Sequence, residues 1–143
     1  MVLLCLGLSH RTPPIALRER LHYSADALKD TLNRRVGLQE LVLLSTCNRL
    51  ELYAVAPTED FDSLIALIED TSGVPRPNFD SHLYYYSGAD TATHLFRVAA
   101  GLDSLILGEP QILGQVTHAY EAARKQSTTG PILSALFRSA IRT

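Results

Sequence analysis

"ELVLLSTCNRLELYAVA", residues 40–56, is the stretch whose reading decides the fold. Two apolar runs, "ELVLL" and "LELYAVA", flank the polar residues "STCNR". Leu, Val and Tyr on either side suit paired strands, and the polar interruption suits the connection between them, so the segment reads as a β-hairpin. A thiol at its tip is misplaced as packing material, because cysteines that only pack usually lie inside apolar runs.

Working outward toward the N-terminus, "VLLCLGL" is a near-continuous apolar run bounded by Ser9 and His10, a buried strand by its length. "RTPP" is a turn, and Pro13 or Pro14 opens a short helix through "IALRERL". Ser24 suits the N-cap of "ADALKDTLNRR", where Ala27, Leu28 and Leu32 share a face and Gly37 stops the helix. On the other side of the hairpin, "DFDSLIALIED" carries Phe61, Leu64, Ile65 and Ile68 at helical spacing, "SGVPRPN" is a loop, and "SHLYYYSG" is a short aromatic strand ending at Gly88. The order β-α-β-β-α-β predicts a ferredoxin-like α+β fold, an antiparallel sheet with helices on one face. Additional C-terminal helices follow. "ADTATHLFRVAAG" places Ala92, Leu95, Phe96 and Ala99 on one face, "SLILGEPQILG" is a loop, and "QVTHAYEAARKQ" is another helix. "GPILSALFRSAIRT" begins at Gly130-Pro131 and reaches the last residue without a stop signal, the pattern expected of a truncated helix.

A chain of 143 residues that is 46% hydrophobic can bury a real core as one domain, or one domain with a projecting element. Only Cys5 and Cys47 are cysteines, no Cys-x-x-Cys occurs, and the five histidines show no ligand spacing, so neither a disulfide framework nor a structural zinc site is expected. The opening "MVLLCLGLSHRTPP" lacks a basic n-region and a small-residue cleavage site, and no apolar run approaches the roughly 18 residues of a membrane span. A cytoplasmic protein without a membrane partner is the expectation. The net charge of −2 argues against indiscriminate nucleic-acid binding, but its distribution is uneven. Residues 1–50 carry seven bases and four acids, residues 51–121 two bases and eleven acids, and residues 122–143 four bases and no acid. The basic ends are either a nucleic-acid contact or solvated helix surface.

A thiol acts as a nucleophile only as thiolate, with partial exposure and positive charge or hydrogen-bond donors nearby. Cys47 has Arg49 two residues away in a turn, which fits a nucleophile and equally a turn cysteine of no consequence. Cys5, inside an apolar strand, reads as core. His94, beside Leu95 and Phe96, is either a satisfied core or boundary histidine or a functional one. In "GLDSLILGEPQILGQ", Ser104, Glu109, Gln111 and Gln115 interrupt an apolar segment whose glycines permit close backbone approach. A carboxylate and two amides suit an ammonium or amino-acid ligand; the alternative is a loop that caps its own helices. Neither Gly-x-Gly-x-x-Gly nor a Walker motif occurs.

"GLSHRTPPIALRER", "LLSTCNRLELY", "HLFRVAAGLDSLILGEPQILGQV" and "GPILSALFRSAIRT" together resemble the N-terminal catalytic domain of the glutamyl-tRNA reductases. The resemblance implies a catalytic domain over residues 1–129 and the start of the family's spinal helix over 130–143. The nicotinamide-binding and dimerisation domains are absent from this stretch. It also implies a mechanism: Cys47 attacks the ester of glutamyl-tRNA to form a thioester, which NADPH reduces to glutamate-1-semialdehyde at the start of tetrapyrrole synthesis, with no metal. His94 corresponds to the family's active-site histidine, Thr46, Asn48 and Arg49 to its substrate-contacting turn, and Ser104, Glu109, Pro110, Gln111 and Gln115 to its second substrate segment. From charge, Arg49 suits the substrate's side-chain carboxylate and Glu109 its ammonium. Glutamyl-tRNA, a second copy of the enzyme at full length, and the downstream semialdehyde aminomutase are the implied partners. Two rivals make different demands on Cys47. A non-catalytic module that binds an aminoacylated partner leaves the thiol dispensable, and a thiol peroxidase makes it peroxide-sensitive without preference for glutamyl esters.

Overall fold

The computed structural model describes residues 1–9, 37–46, 48–102 and 111–142. The helices expected over 15–21 and 25–35 lie outside the described residues, as does most of the expected loop 104–114. The hairpin forms as anticipated. Strand β2 (Glu40–Ser45) pairs antiparallel with β3 (Arg49–Ala56), with Ser45 opposite Leu50. Thr46 closes the turn twice over. Its N–H donates to the Arg49 carbonyl at 2.8 Å, and its hydroxyl accepts from the N–H groups of Asn48 at 3.1 Å and Arg49 at 3.2 Å. A short hydroxyl that satisfies its own turn is why threonine suits this position.

Strand β1 (Val2–Ser9) lies between β3 and β4 (Leu83–Ser87), giving the sheet order β2-β3-β1-β4 with every neighbour antiparallel. Side chains alternate across a strand, so register sorts them into two faces. Leu4, Leu6 and Leu8 share one face with Leu50, Leu52, Ala54, Leu41 and Leu43. Helix α1 (Phe61–Ser72) packs there, with the Phe61 ring edge-on to Tyr85 at 5.0 Å. Its limits are local: the Asp60 side chain accepts from the Ser63 N–H, and Gly73 ends it at φ 70°, a conformation that favours glycine.

The opposite face carries Cys5, Gly7, Glu51, Tyr53, Val55, Val42, Tyr84 and Tyr86. Helices α2 (Ala89–Ala99), α3 (Ile112–Lys125) and α4 (Pro131–Arg142) cover it. With both faces covered, β3 is buried at every position. Phe137 of α4 meets Tyr53 edge-on at 5.3 Å and stacks on Tyr120 of α3 at 5.9 Å. Glu40, the first residue of β2, accepts from the N–H groups of Gly130 at 2.7 Å, Leu133 at 2.8 Å and Ile132 at 3.3 Å. A buried carboxylate from the sheet therefore caps the helix end whose positive dipole it complements.

Two helices depart from the sequence reading. In α2 the buried stripe is Thr91, His94, Leu95, Val98 and Ala99, with Ala92 and Phe96 only half-buried. The helix is rotated so that two polar residues face the sheet, because the sheet offers them partners. Helix α3 starts at Ile112, three residues earlier than expected, and Ile112 and Val116 are buried one turn apart. Among the described residues, no helix is long and apolar enough to cross a membrane.

Candidate active site

Alternation along β3 puts Arg49, Glu51 and Tyr53 on the face under α2–α4. Glu51 is fully buried. Opposite it on β1 stands Gly7, and opposite Gly7 on β4 stands Tyr84. A Cβ at Gly7 would overlap the Tyr84 ring. The missing side chain lets Tyr84 lie across β1 and donate its hydroxyl to Glu51 Oε2 at 2.5 Å. Tyr53 donates to Oε1 at 2.7 Å.

The fourth side of the cluster comes from α2. Gly88, at φ 61° and ψ −134°, turns β4 sharply into the helix, a conformation essentially reserved for glycine, and its N–H is tied to the Leu3 carbonyl at 2.8 Å. Six residues on, His94 lies over the sheet. Its ring stacks on Tyr86 at 4.2 Å, and its Nε2 lies 2.5 Å from Glu51 Oε2. Arg49 Nη1 is 3.6 Å from the same oxygen.

A buried carboxylate is expensive unless hydrogen-bonded and paired. Burial alone would push the Glu51 carboxyl up. The hydrogen bond and charge of His94, the Tyr84 phenol and the Arg49 guanidinium outweigh it and hold the group below its ordinary value. An ionised carboxylate only accepts, so His94 presents Nε2–H to it. Burial and the Glu51 charge push both Tyr84 and Tyr53 well above the usual phenol range, so both hydroxyls remain donors. The cluster opens at His94 to a cavity of about 320 Å³ lined by Tyr86, Asp90, Thr93, His94 and Arg97.

The expected site residues fall into three groups. Arg49 and His94 are brought together through Glu51, and Thr46 and Asn48 form the turn that leads into Arg49. Gln111 is exposed at the start of α3, and Gln115 is half-buried one turn later, its N–H bonded to the Gln111 carbonyl at 2.9 Å. Cys47, Ser104, Glu109 and Pro110 lie outside the described residues. Glu51, Tyr53, Tyr84 and Gly7 were not anticipated. The available signal was Arg-x-Glu-x-Tyr at period two inside an apolar strand, which puts three polar tips on one face.

Cys5, Glu51 and His94 offer ligand atoms within 4.8 Å of one another, the one such group among the described residues. The geometry is that of a hydrogen-bonded cluster. The His94–Glu51 separation of 2.5 Å is shorter than the roughly 3.4 Å between two ligands of one tetrahedral zinc. An ion would have to part the pair and displace the tyrosines.

The family model "Glutamyl-tRNAGlu reductase, N-terminal domain" matches residues 6–143. The chain belongs to the glutamyl-tRNA reductase family. A glutamyl-tRNA reductase of Rubrobacter xylanophilus is 42% identical over 146 residues, covering 99% of this chain and 34% of that protein. One of Xylella fastidiosa is 47% identical over 141 residues, covering 96% and 31%. The solved glutamyl-tRNA reductase from Methanopyrus kandleri superposes with a TM-score of 0.79 at 33% identity, over 98% of this chain and 32% of that one. The chain thus spans about a third of the reductases it matches, over their N-terminal domain.

Proposed function

We propose that this chain is the domain of a glutamyl-tRNA reductase that binds glutamyl-tRNA and takes the glutamyl group onto a thiol. The Cys47 thiolate attacks the ester carbonyl; the C–S bond forms, the bond to the terminal ribose oxygen breaks, and that oxygen leaves with a proton as tRNA is released. The carrying observation is the cluster of Arg49, Glu51 and His94, in which Arg49 is the residue bonded to Thr46 at the hairpin turn and His94 lines a cavity. It sets the Arg49 guanidinium and the His94 ring, whose Nε2–H Glu51 holds, in a water-poor setting, where electrostatic effects on a developing oxyanion are strongest. His94 polarises the carbonyl or carries the proton, and Arg49 reads the side-chain carboxylate together with Thr46 and Asn48. Ser104, Glu109, Pro110, Gln111 and Gln115 form the second substrate segment.

Reduction of the thioester by NADPH to glutamate-1-semialdehyde belongs to the proposed activity of the whole enzyme, at the entry to tetrapyrrole synthesis. The described residues do not fit a dinucleotide: the sheet is wholly antiparallel and lacks the Gly-rich strand-to-helix turn that cradles a pyrophosphate, so no step of hydride transfer is assigned to them. We read the sheet order as ferredoxin-like, with residues 1–129 as the catalytic domain and α4 as the start of the spinal helix. Homodimer formation, contact with the semialdehyde aminomutase and a cytoplasmic location complete the proposal.

Intact-mass analysis after mixing the chain with glutamyl-tRNA tests it. One glutamyl adduct is expected on the native chain and none on Cys47→Ser, with Cys47-dependent loss of acyl-tRNA over time. Equal deacylation by both proteins, without an adduct, would overturn the reading.

A further inference from the structure

We propose that Glu51 is a positioning residue of this site: a buried carboxylate that locks His94 and Arg49 into one arrangement, itself held by Tyr84 reaching across Gly7. The inference rests on the acyl-transfer reading above and names the part of the site that orients it.

Four groups from β3, β4 and α2 converge on one carboxylate with no solvent exposure. Nothing in the packing of the described residues requires an anion there. The other face of β3 is filled by Leu50, Leu52 and Ala54, and a buried ionic cluster is no more stabilising than well-packed apolar residues of like volume. Two of the four partners, Tyr53 and Tyr84, are phenols that hold the carboxylate. The other two, Arg49 and His94, are the ones that face chemistry. Glu51 thus converts two mobile side chains into fixed ones. It accepts from Nε2–H and so sets the tautomer and tilt of the imidazole, and it gives the guanidinium an anion on the sheet side. The Tyr86 ring, stacked on His94, removes the remaining rotational freedom. Carboxylate-oriented histidines are a recurrent device where an imidazole must present one particular nitrogen. Gly7 belongs to the same device, because any side chain there would push Tyr84 off Glu51.

The test measures single-turnover acylation of Cys47 by glutamyl-tRNA in the native chain, Glu51→Gln, His94→Asn and the double variant, with iodoacetamide alkylation of Cys47 measured alongside. Glutamine keeps the volume and loses the charge. For Glu51→Gln the saturating acylation rate should fall about a hundredfold, the scale of a misdirected acid–base group. Alkylation should change less than about threefold, since a generic electrophile does not need His94 aligned. The decisive comparison is the double variant. If Glu51 acts through His94, the two losses should be strongly sub-additive, the remainder being what Glu51 does through Arg49. Fully additive losses overturn the proposal, as does a Glu51→Gln rate within about threefold of the native one. Absence of an adduct on the native chain overturns the acyl-transfer reading itself, and this inference with it. Should Glu51→Gln fail to fold, Tyr84→Phe decides: it removes one donor and keeps the ring. A several-fold loss of acylation that shrinks strongly in the His94→Asn background is the expected result, and an unchanged rate overturns the proposal.

Discussion

Replacing Gly7 by alanine should cost this protein about 2–5 kcal/mol, although alanine is ordinarily the better strand residue. Gly7 is not among the glycines with positive φ, so no backbone strain is involved. The cost is spatial. An ideal Cβ falls within the Tyr84 ring, whose hydroxyl is bonded to Glu51 at 2.5 Å. Moving the ring forfeits a hydrogen bond to a charged acceptor, worth about 1.5–3 kcal/mol. Overpacking adds about 1–3 kcal/mol. The intrinsic preference for alanine over glycine returns only about 0.5–1 kcal/mol. A domain of this size is typically stable by about 5–15 kcal/mol, so the variant should fold with a clearly lowered urea midpoint. The informative experiment is a double-mutant cycle with Tyr84→Ala. Once the ring is gone, Gly7→Ala should be neutral or stabilising by about 0.5–1 kcal/mol. A cost below about 1 kcal/mol in the native background, or the same cost in both backgrounds, would refute the claim that Gly7 exists to let Tyr84 pass.

Glu40→Ala should destabilise the chain by about 2–4 kcal/mol, because the Gly130, Ile132 and Leu133 amides lose their acceptor at a buried helix end; faster hydrogen exchange at Leu133 would locate the effect. The Glu51 carboxyl is held below its ordinary value of 4.5, so its contribution to stability is complete above that pH and is lost as pH falls through the lower folded value. Urea midpoints of Glu51→Gln should therefore depend less on pH below about 4.5 than those of the native chain, and parallel curves would contradict the assignment. Alkaline difference spectra should show Tyr53 and Tyr84 resisting ionisation until the chain unfolds, since both phenols are buried beside the Glu51 charge. Limited iodoacetamide treatment should label Cys47 well ahead of Cys5, which is fully buried in β1; preferential labelling of Cys5 would refute the assignment.

What could be read from the sequence alone is what depends on neighbours along the chain. The hairpin over residues 40–56 was legible because alternation and turn residues are local signals, and Thr46 closes the turn with its own hydroxyl. Helix α1 was legible because Phe61, Leu64, Ile65 and Ile68 recur at helical spacing, and the Asp60 and Gly73 ends seen in the structure are local as well. The family was legible from the motifs around Cys47 and His94, and the match over residues 6–143 bears out the family. What only the tertiary structure decided is where polar groups are welcome inside. Sequence patterning gives no reason to bury Glu51 or Thr91 and leaves His94 open, since burying such groups costs free energy unless partners meet them. Those partners are remote: Tyr84 is 33 residues from Glu51, His94 is 43 residues away, and the helix end that Glu40 caps begins 90 residues further on. Periodicity within one segment carries no information about donors arriving from another strand or helix. The inward turn of α2 and the polar cluster on β3 therefore exist only once Gly7 lets Tyr84 cross β1 and Gly88 swings His94 over the sheet.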